Sequence, residues 1–223
     1  MDERVSGKLT KRLDRFVKQV LEPEDFIDAS AVPLEREGGP FVVPVCSKCT
    51  QKCCIHKEVG SGIMLSLRDV AQLIDSGYGD LIVGTFTFKR GRDGKLEMDK
   101  MPRLAKKQGY CVFYDRETEL CGGYGIRPTI CRRFPYEVHY RVGSGKPFAR
   151  FIPWAPCPTD RSPKYEKSVR QMVSDSVEDE NVSFVDATLL PEYVEELRQL
   201  GFEKVLPPPE DIPAARSTSR RTP

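Results

Sequence analysis

The sequence predicts a small mixed α+β domain with an irregular, cysteine-rich, metal-stapled centre and flanking helices. Three observations predict it. Apolar residues recur at helical spacing near the N-terminus and again in the last third of the chain. Between them, short runs rich in β-branched and aromatic residues alternate with glycine and proline. Eight cysteines fall between Cys46 and Cys157.

In the first helix, expected over Lys8 to Leu21, Leu9, Leu13, Phe16 and Val20 form one face and Lys11, Arg12, Asp14, Arg15 and Lys18 fill the other. Glu22-Pro23 ends it, because the residue before a proline is pushed out of the helical region. Residues 23 to 40 read as loop. Phe41 to Val45 is a short apolar run, expected as a strand that delivers the first cysteines. Ser66-Leu67-Arg68-Asp69 has the form of a capping box, with Val70, Leu73 and Ile74 as the buried face and Gly77 as the stop. Leu81 to Phe88 reads as one strand, Arg90 to Gly94 as a turn, and Tyr110 to Tyr114 as a strand carrying Cys111. Tyr136 to Val142 and Phe148 to Ile152 flank Gly143-Ser144-Gly145-Lys146 and predict a hairpin. Ser162 to Val177 reads as a helix with Pro163 at its first position. A last helix is expected from Pro191 to Leu200, with Val194, Leu197 and Leu200 inward and Gly201 as its stop.

The chain has 223 residues, 39% of them hydrophobic and 30% charged, enough for one good core and a small appendage. The expected organisation is an N-terminal helix and linker over 1–40, a cysteine-cluster domain over 41–160, a C-terminal helical segment over 161–206, and a disordered Pro/Arg-rich tail over 207–223. The formal charge is +2, and removing the last ten residues, with Arg216, Arg220 and Arg221 and no acid, leaves −1. That balance excludes a general polyanion binder. The longest stretch without a charged side chain is ten residues, Gly38 to Ser47, half of what a membrane-spanning helix needs. With no apolar leader after Met1, the protein is expected to be soluble and cytoplasmic, with no membrane partner.

Cytoplasm is a reducing compartment, and there closely spaced thiols point to metal or redox chemistry rather than disulfides. The first cluster is Cys46-x2-Cys49-x3-Cys53-Cys54, four thiols within nine residues. A two-residue gap lets two sulfurs from one tight turn reach one metal. The adjacent pair Cys53 and Cys54 does not share an ion in that way, because neighbouring side chains of an extended backbone point to opposite sides. Lys48, Lys52 and Lys57 lie alongside and favour the thiolate form. The second cluster is Cys111-x9-Cys121-x9-Cys131, with Cys157-Pro158 further on. Gly122-Gly123 after Cys121 lets backbone approach closely. Arg127 and Arg132 flank Cys131 and are read as cofactor-contacting residues that offset thiolate charge.

Together, Cys-x2-Cys-x3-Cys-Cys and a Cys-x9-Cys that leads into Arg-Pro-x-x-Cys-Arg-x-Phe-Pro resemble the zinc- or iron-chelating cysteine-cluster family (YkgJ-type), whose members are commonly described as iron–sulfur proteins. The resemblance runs from about Val45 to Pro158. It implies metal ligation by Cys46, Cys49, Cys53, Cys54, Cys111, Cys121 and Cys131, with Cys157 as a looser match. Gly123 departs from the pattern, standing where a small apolar residue is more usual. The resemblance supplies a cofactor class rather than a reaction, and it favours an iron–sulfur cluster over zinc; all-thiolate ligation alone suits both. His56 is a candidate to replace one sulfur but is read as outer-shell or surface, and His139 as structural in a strand.

Three functions compete. The first is a metal-binding protein with a redox, electron-transfer or metal-handling role and an unknown redox or protein partner. The second is an enzyme component that uses the metal, although no metalloprotease, nucleophile-elbow or phosphate-loop motif occurs. The third is a zinc-type nucleic-acid or protein-interaction module. For it, Arg127, Arg132, Arg133, Arg141 and Arg150 with Phe134, Tyr136 and Tyr140 are the candidate patch. Nucleic acid is the less expected partner, since the same charges can serve the thiolates. Trp154, the one tryptophan, is expected to pack beside the site.

Overall fold

The computed structural model of the chain describes residues 7–20, 32–35, 41–45, 48, 62–92, 94, 96–133, 136–140, 147–151, 158–184 and 193–212. In order, the elements are α1 (Lys8–Val20), β1 (Leu34–Glu35), β2 (Val42–Pro44), α2 (Leu67–Asp75), β3 (Ile82–Val83), β4 (Thr87–Arg90), β5 (Leu96–Lys100), β6 (Arg103–Leu104), β7 (Lys106–Lys107), β8 (Tyr110–Cys111), α3 (Thr129–Arg133), β9 (Tyr136–Tyr140), β10 (Pro147–Phe151), β11 (Thr159–Arg161), α4 (Glu166–Phe184) and α5 (Val194–Leu197). Helices with small, mainly antiparallel sheets make this an α+β fold, as expected from the sequence. Cys46, Cys49, Cys53, Cys54 and Cys157 lie outside the described residues, as do His56 and Trp154.

Two buried clusters form. In the larger, Leu9, Leu13, Phe16 and Val17 of α1 meet Leu67, Val70, Ala71 and Leu73 of α2. Val194, Leu197, Phe202 and Val205 from the far end of the chain close over them. Phe16 and Tyr193 meet edge to face at 5.5 Å, and the Phe86 N–H donates to the Val205 carbonyl at 2.8 Å. The smaller cluster holds Val32, Phe41, Tyr136 and Ala149 against Val169, Val173 and Val177, three residues four apart on α4. Around it, β10 pairs antiparallel with β9 and parallel with β1.

Helix α2 is short, and carboxylates at both of its ends are used. Ser66 and Asp69 form the capping box read from the sequence. Asp75, its last residue, sits where its own helix dipole disfavours a negative charge. It is held there by another helix: its carboxylate accepts from the Leu9 N–H (3.0 Å), the Thr10 N–H (2.8 Å) and the Thr10 hydroxyl (2.8 Å). Helix α1 has no acid in its first turn, so Asp75 supplies the missing cap from elsewhere.

The single strand expected over Leu81 to Phe88 is instead broken. Gly84 takes φ +76°, and the two pieces pair with different partners, β3 with β6 and β4 with β5. The strand expected over Tyr110 to Tyr114 stops at Cys111, where the Tyr114 N–H turns back to the Cys111 carbonyl. Strands β5, β6 and β7 were not foreseen, since their sequences are charged and each has only one partner. Strand β1 lies within the expected loop 23–40. Helix α4 runs on to Phe184, past the expected Val177, after a 3₁₀ turn at Pro163–Tyr165 that Ser162 caps. The last helix begins at Val194 and ends in a π turn over Arg198–Phe202, where Gly201 has φ +115°. Pro207 is buried and Pro209–Asp211 forms a 3₁₀ turn, so the described chain continues beyond the expected start of the tail. Among the described residues no helix is long and apolar enough to cross a membrane.

Two predictions follow from these contacts. A Cβ on Gly7 would stand 2.0–2.3 Å from atoms of the Asp75 side chain. Gly7→Ala should therefore break the α1 cap and lower stability by about 1–2 kcal/mol, read from the urea midpoint. The Tyr136 hydroxyl donates to the Val42 carbonyl (3.1 Å) and accepts from the Val42 N–H (3.2 Å). Burial raises the Tyr136 pKa above the ordinary tyrosine value, so this group stabilises the fold fully below about pH 10 and progressively less above it. Tyr136→Phe should cost about 1–2 kcal/mol at neutral pH and flatten the alkaline loss seen in urea titrations between pH 9 and pH 11.

Candidate metal centre

Three of the eight cysteines are described, and one continuous stretch of chain carries them. Cys111 closes β8 and is buried. Its strand is joined to β7 by a two-residue turn in which Gln108 and Gly109 both have positive φ, the form that suits a tight hairpin. Beyond Cys111 the chain makes an outward loop and returns. The Asp115 N–H donates to the Leu120 carbonyl at 3.0 Å, Tyr114 bridges to Cys121, and the Gly122 N–H donates to the Phe113 carbonyl at 2.8 Å. Cys111 and Cys121 are thereby placed on the two arms of one small loop.

The tip of that loop is organised by Asp115, whose carboxylate accepts from the Glu117 N–H (2.9 Å) and the Thr118 hydroxyl (2.7 Å). The Thr118 hydroxyl bond, then the Glu117 N–H bond, hold its carboxyl below the ordinary aspartate range. The group folds a turn on the surface, in keeping with the solvated-loop reading of Asp115, Glu117 and Glu119. Arg116 lies over the Tyr110 ring at 4.3 Å, and Tyr110 stacks on Tyr114 at 5.5 Å.

Past Cys121, Gly123 is buried and lies against Phe113, whose ring meets Tyr78 edge to face at 5.5 Å. A Cβ at position 123 would come within 2.6–2.9 Å of the Phe113 ring. That contact explains why this chain has glycine where a small apolar residue is more usual. A 3₁₀ turn over Tyr124–Ile126 then leads to Arg127, which donates to the Tyr124 carbonyl at 3.1 Å and lies 3.5 Å over the Tyr124 ring.

Cys131 sits in α3, whose first turn is closed by bonds from the Cys131 and Arg132 N–H groups to the Pro128 carbonyl. The N-terminus of this helix is capped by Asp69 of α2. One carboxylate oxygen accepts from the Thr129 N–H (2.8 Å) and the Thr129 hydroxyl (3.1 Å), and the other from the Ser66 N–H (3.2 Å). Arg132 donates to Gln72 Oε1 and to the Thr129 hydroxyl, both at 2.6 Å. Its Nε–H is buried and has no acceptor. Arg127 and Arg132 thus bind protein groups with most of their donors, and the Arg132 Nε–H remains. Tyr136 of the candidate nucleic-acid patch is buried and bonded to Val42, and Arg132 is turned inward.

Strand β11 pairs antiparallel with β2, and the ladder continues to the Val45 N–H, which donates to the Pro158 carbonyl at 2.9 Å. Cys46 follows Val45 and Cys157 precedes Pro158. Asp160 of β11 is held below the ordinary carboxylate range, first by the Tyr165 hydroxyl and further by the charges of Lys164 and Lys48. Lys48 lies inside the first cysteine pair. Among the described residues no three His, Cys, Asp or Glu side chains stand close enough to hold a metal ion. The donors that are described fit a thiophilic metal in kind: three thiols, with a buried arginine N–H left over beside one of them.

Comparison with known proteins defines the class. Residues 45–152, just under half of the chain, match the CxxCxxCC family, described as "Putative zinc- or iron-chelating domain". This stretch is a domain of that family, which makes zinc or iron chelation its class. A 40-residue stretch is 45% identical to an uncharacterized protein of Methanocaldococcus jannaschii, covering 18% of this chain and 22% of that protein. The chain therefore spans about a fifth of the curated relative's length. No solved structure matches it.

Sequence reasoning did not single out Asp69 as more than a capping residue, nor Thr129, Gln72 or Phe113 at all. The capping box was visible locally; its second partner lies 60 residues away. The Gly123 contact yields a prediction. Gly123→Ala should destabilise the protein by about 1–3 kcal/mol through overpacking. In a Phe113→Leu background the same change should cost clearly less, because the ring it strikes is gone; equal costs in urea denaturation of the two backgrounds would contradict the contact.

Proposed function

We propose that the protein binds an iron–sulfur cluster through cysteine thiolates drawn from Cys46, Cys49, Cys53, Cys54, Cys111, Cys121, Cys131 and Cys157. Its role on this reading is redox, electron transfer or metal handling with a protein partner in the cytoplasm. The observation that carries it is the all-thiol donor set of a zinc- or iron-chelating domain, with Cys111, Cys121 and Cys131 on one braced stretch of chain.

When bound, such a cluster supplies a one-electron reservoir tuned by the hydrogen bonds and charge around its sulfurs. The chain's own part is to hold the thiols and to compensate their charge. The buried Arg132 Nε–H beside Cys131 supports the second task, since a donor without a protein acceptor suits a thiolate or sulfide. The Val45–Pro158 pairing supports a place for Cys157, because it holds the neighbours of Cys46 and Cys157 together. Reduced thiols persist in a reducing compartment, in keeping with the cytoplasmic reading.

Anaerobic purification, followed by an absorption spectrum and iron, zinc and sulfide analysis of the same sample, tests the proposal. Brown protein with a broad band near about 400 nm and matching sulfide is the expected result. Colourless protein with stoichiometric zinc and no sulfide would instead make it a structural zinc module for protein or nucleic-acid interaction. Cys131→Ser is expected to lower metal content and thermal midpoint together, because metal-binding energy is folding energy in such a site. Loss of metal with an unchanged midpoint would contradict that coupling.

A further inference from the structure

Resting on the metal-binding reading above, we propose that Asp69 is the positioning residue for Cys131, so that α2 sets the metal affinity of the site through a cap it lends to another helix. Asp69 is 3% exposed and Thr129 is fully buried. One carboxylate oxygen fixes both the backbone and the side chain of Thr129, two residues before Cys131. The other oxygen is held by the Ser66 N–H inside the capping box of α2, so the carboxylate cannot turn without breaking that box.

Helix α3 has only five residues, too few to hold a helical geometry by its own hydrogen bonds. Its orientation has to come from outside. Arg132 supplies a second tie, from the residue after Cys131 to Gln72. Asp69 and Gln72 lie three apart, on one face of α2. Cys131 is thus gripped from both sides by a helix that is itself fixed in the main core. A thiol held in advance loses less freedom on ligation, and the affinity rises accordingly.

Helix α2 also carries its own control. Asp75 caps α1 in the same manner, but that tie leads away from the cysteines. The experiment compares wild type, Asp69→Asn, Thr129→Val, Thr129→Ser and Asp75→Asn under anaerobic, reduced conditions. Three quantities are measured on each: zinc affinity by competition with a chromophoric chelator, the alkylation rate of Cys131 relative to Cys111 in the metal-free protein, and the urea midpoint.

Asp69→Asn and Thr129→Val should weaken zinc binding by about tenfold or more and speed Cys131 alkylation relative to Cys111. Thr129→Ser, which keeps the hydroxyl, should restore both. Asp75→Asn should lose stability while its zinc affinity stays within about twofold of wild type. Equal affinities for the Asp69 and Asp75 variants, or a Thr129→Val protein with unchanged alkylation, would overturn the positioning role. If the Asp69 variant does not fold, the Thr129 pair decides. If wild type binds no zinc and no iron, the metal-binding reading fails by itself, and the alkylation rates still decide whether Asp69 places Cys131.

Discussion

A carboxylate buried in a protein interior is tolerated only if its oxygens are hydrogen-bonded, because the charge has otherwise been taken out of water without replacement. Asp69 meets that requirement with donors from two helices, and the rest of the candidate site is arranged around the solution. Its own helix provides the Ser66 N–H, and α3 provides the Thr129 N–H and hydroxyl. At the other end of the same helix, Asp75 meets α1 in a similar way. Nine residues of α2 therefore orient one helix before it in the chain and one after it. The apolar face of α2 alone would not do this. Hydrophobic burial is non-directional and holds the helices together without fixing which residue of each faces which.

Around the described thiols the chain relies on close backbone approaches and on cation–aromatic contacts rather than on long secondary structure. Gly123 against Phe113, Arg127 over Tyr124 and Arg116 over Tyr110 brace the stretch from β8 to α3. Such bracing suits a site whose ligands come from loops. Loops have few ladder bonds, so side-chain contacts have to supply the rigidity that ligand geometry needs. The positive charge in these contacts lies near the cysteines as well, and one group both braces the loop and shapes the local field.

Much of this was legible in the sequence where the signal is local. The α1 face, the Ser66-to-Asp69 capping box, the hairpin of β9 and β10 and the Ser162-Pro163 helix start each depend on residues a few positions apart, and each appears where the pattern puts it. The cysteine motif identified the family for the same reason, since spacing along the chain is its content. What the sequence concealed is non-local. Gly84 does not announce that it will split an apolar run between two partners, and a charged run such as Leu96–Lys100 becomes a strand only because β4 lies beside it. Asp75 at a helix end looks unfavourable until α1 is placed upon it. Thr129 looks like filler within the Arg-Pro-x-x-Cys motif until Asp69 is seen to reach it.

The closing of the main core by Val194, Leu197, Phe202 and Val205 has a bearing on how the protein is made. Leu9 and Leu13 emerge from the ribosome among the first residues, yet the side chains that cover their cluster are translated well over 150 residues later. Contacts of such long sequence separation form late and slow folding. The α1 face and the thiols thus spend most of translation without the cover they finally acquire. A nascent chain of this kind exposes apolar surface and eight reactive sulfurs together. A reducing environment and chaperone protection are therefore requirements of its synthesis, before any partner or metal is met.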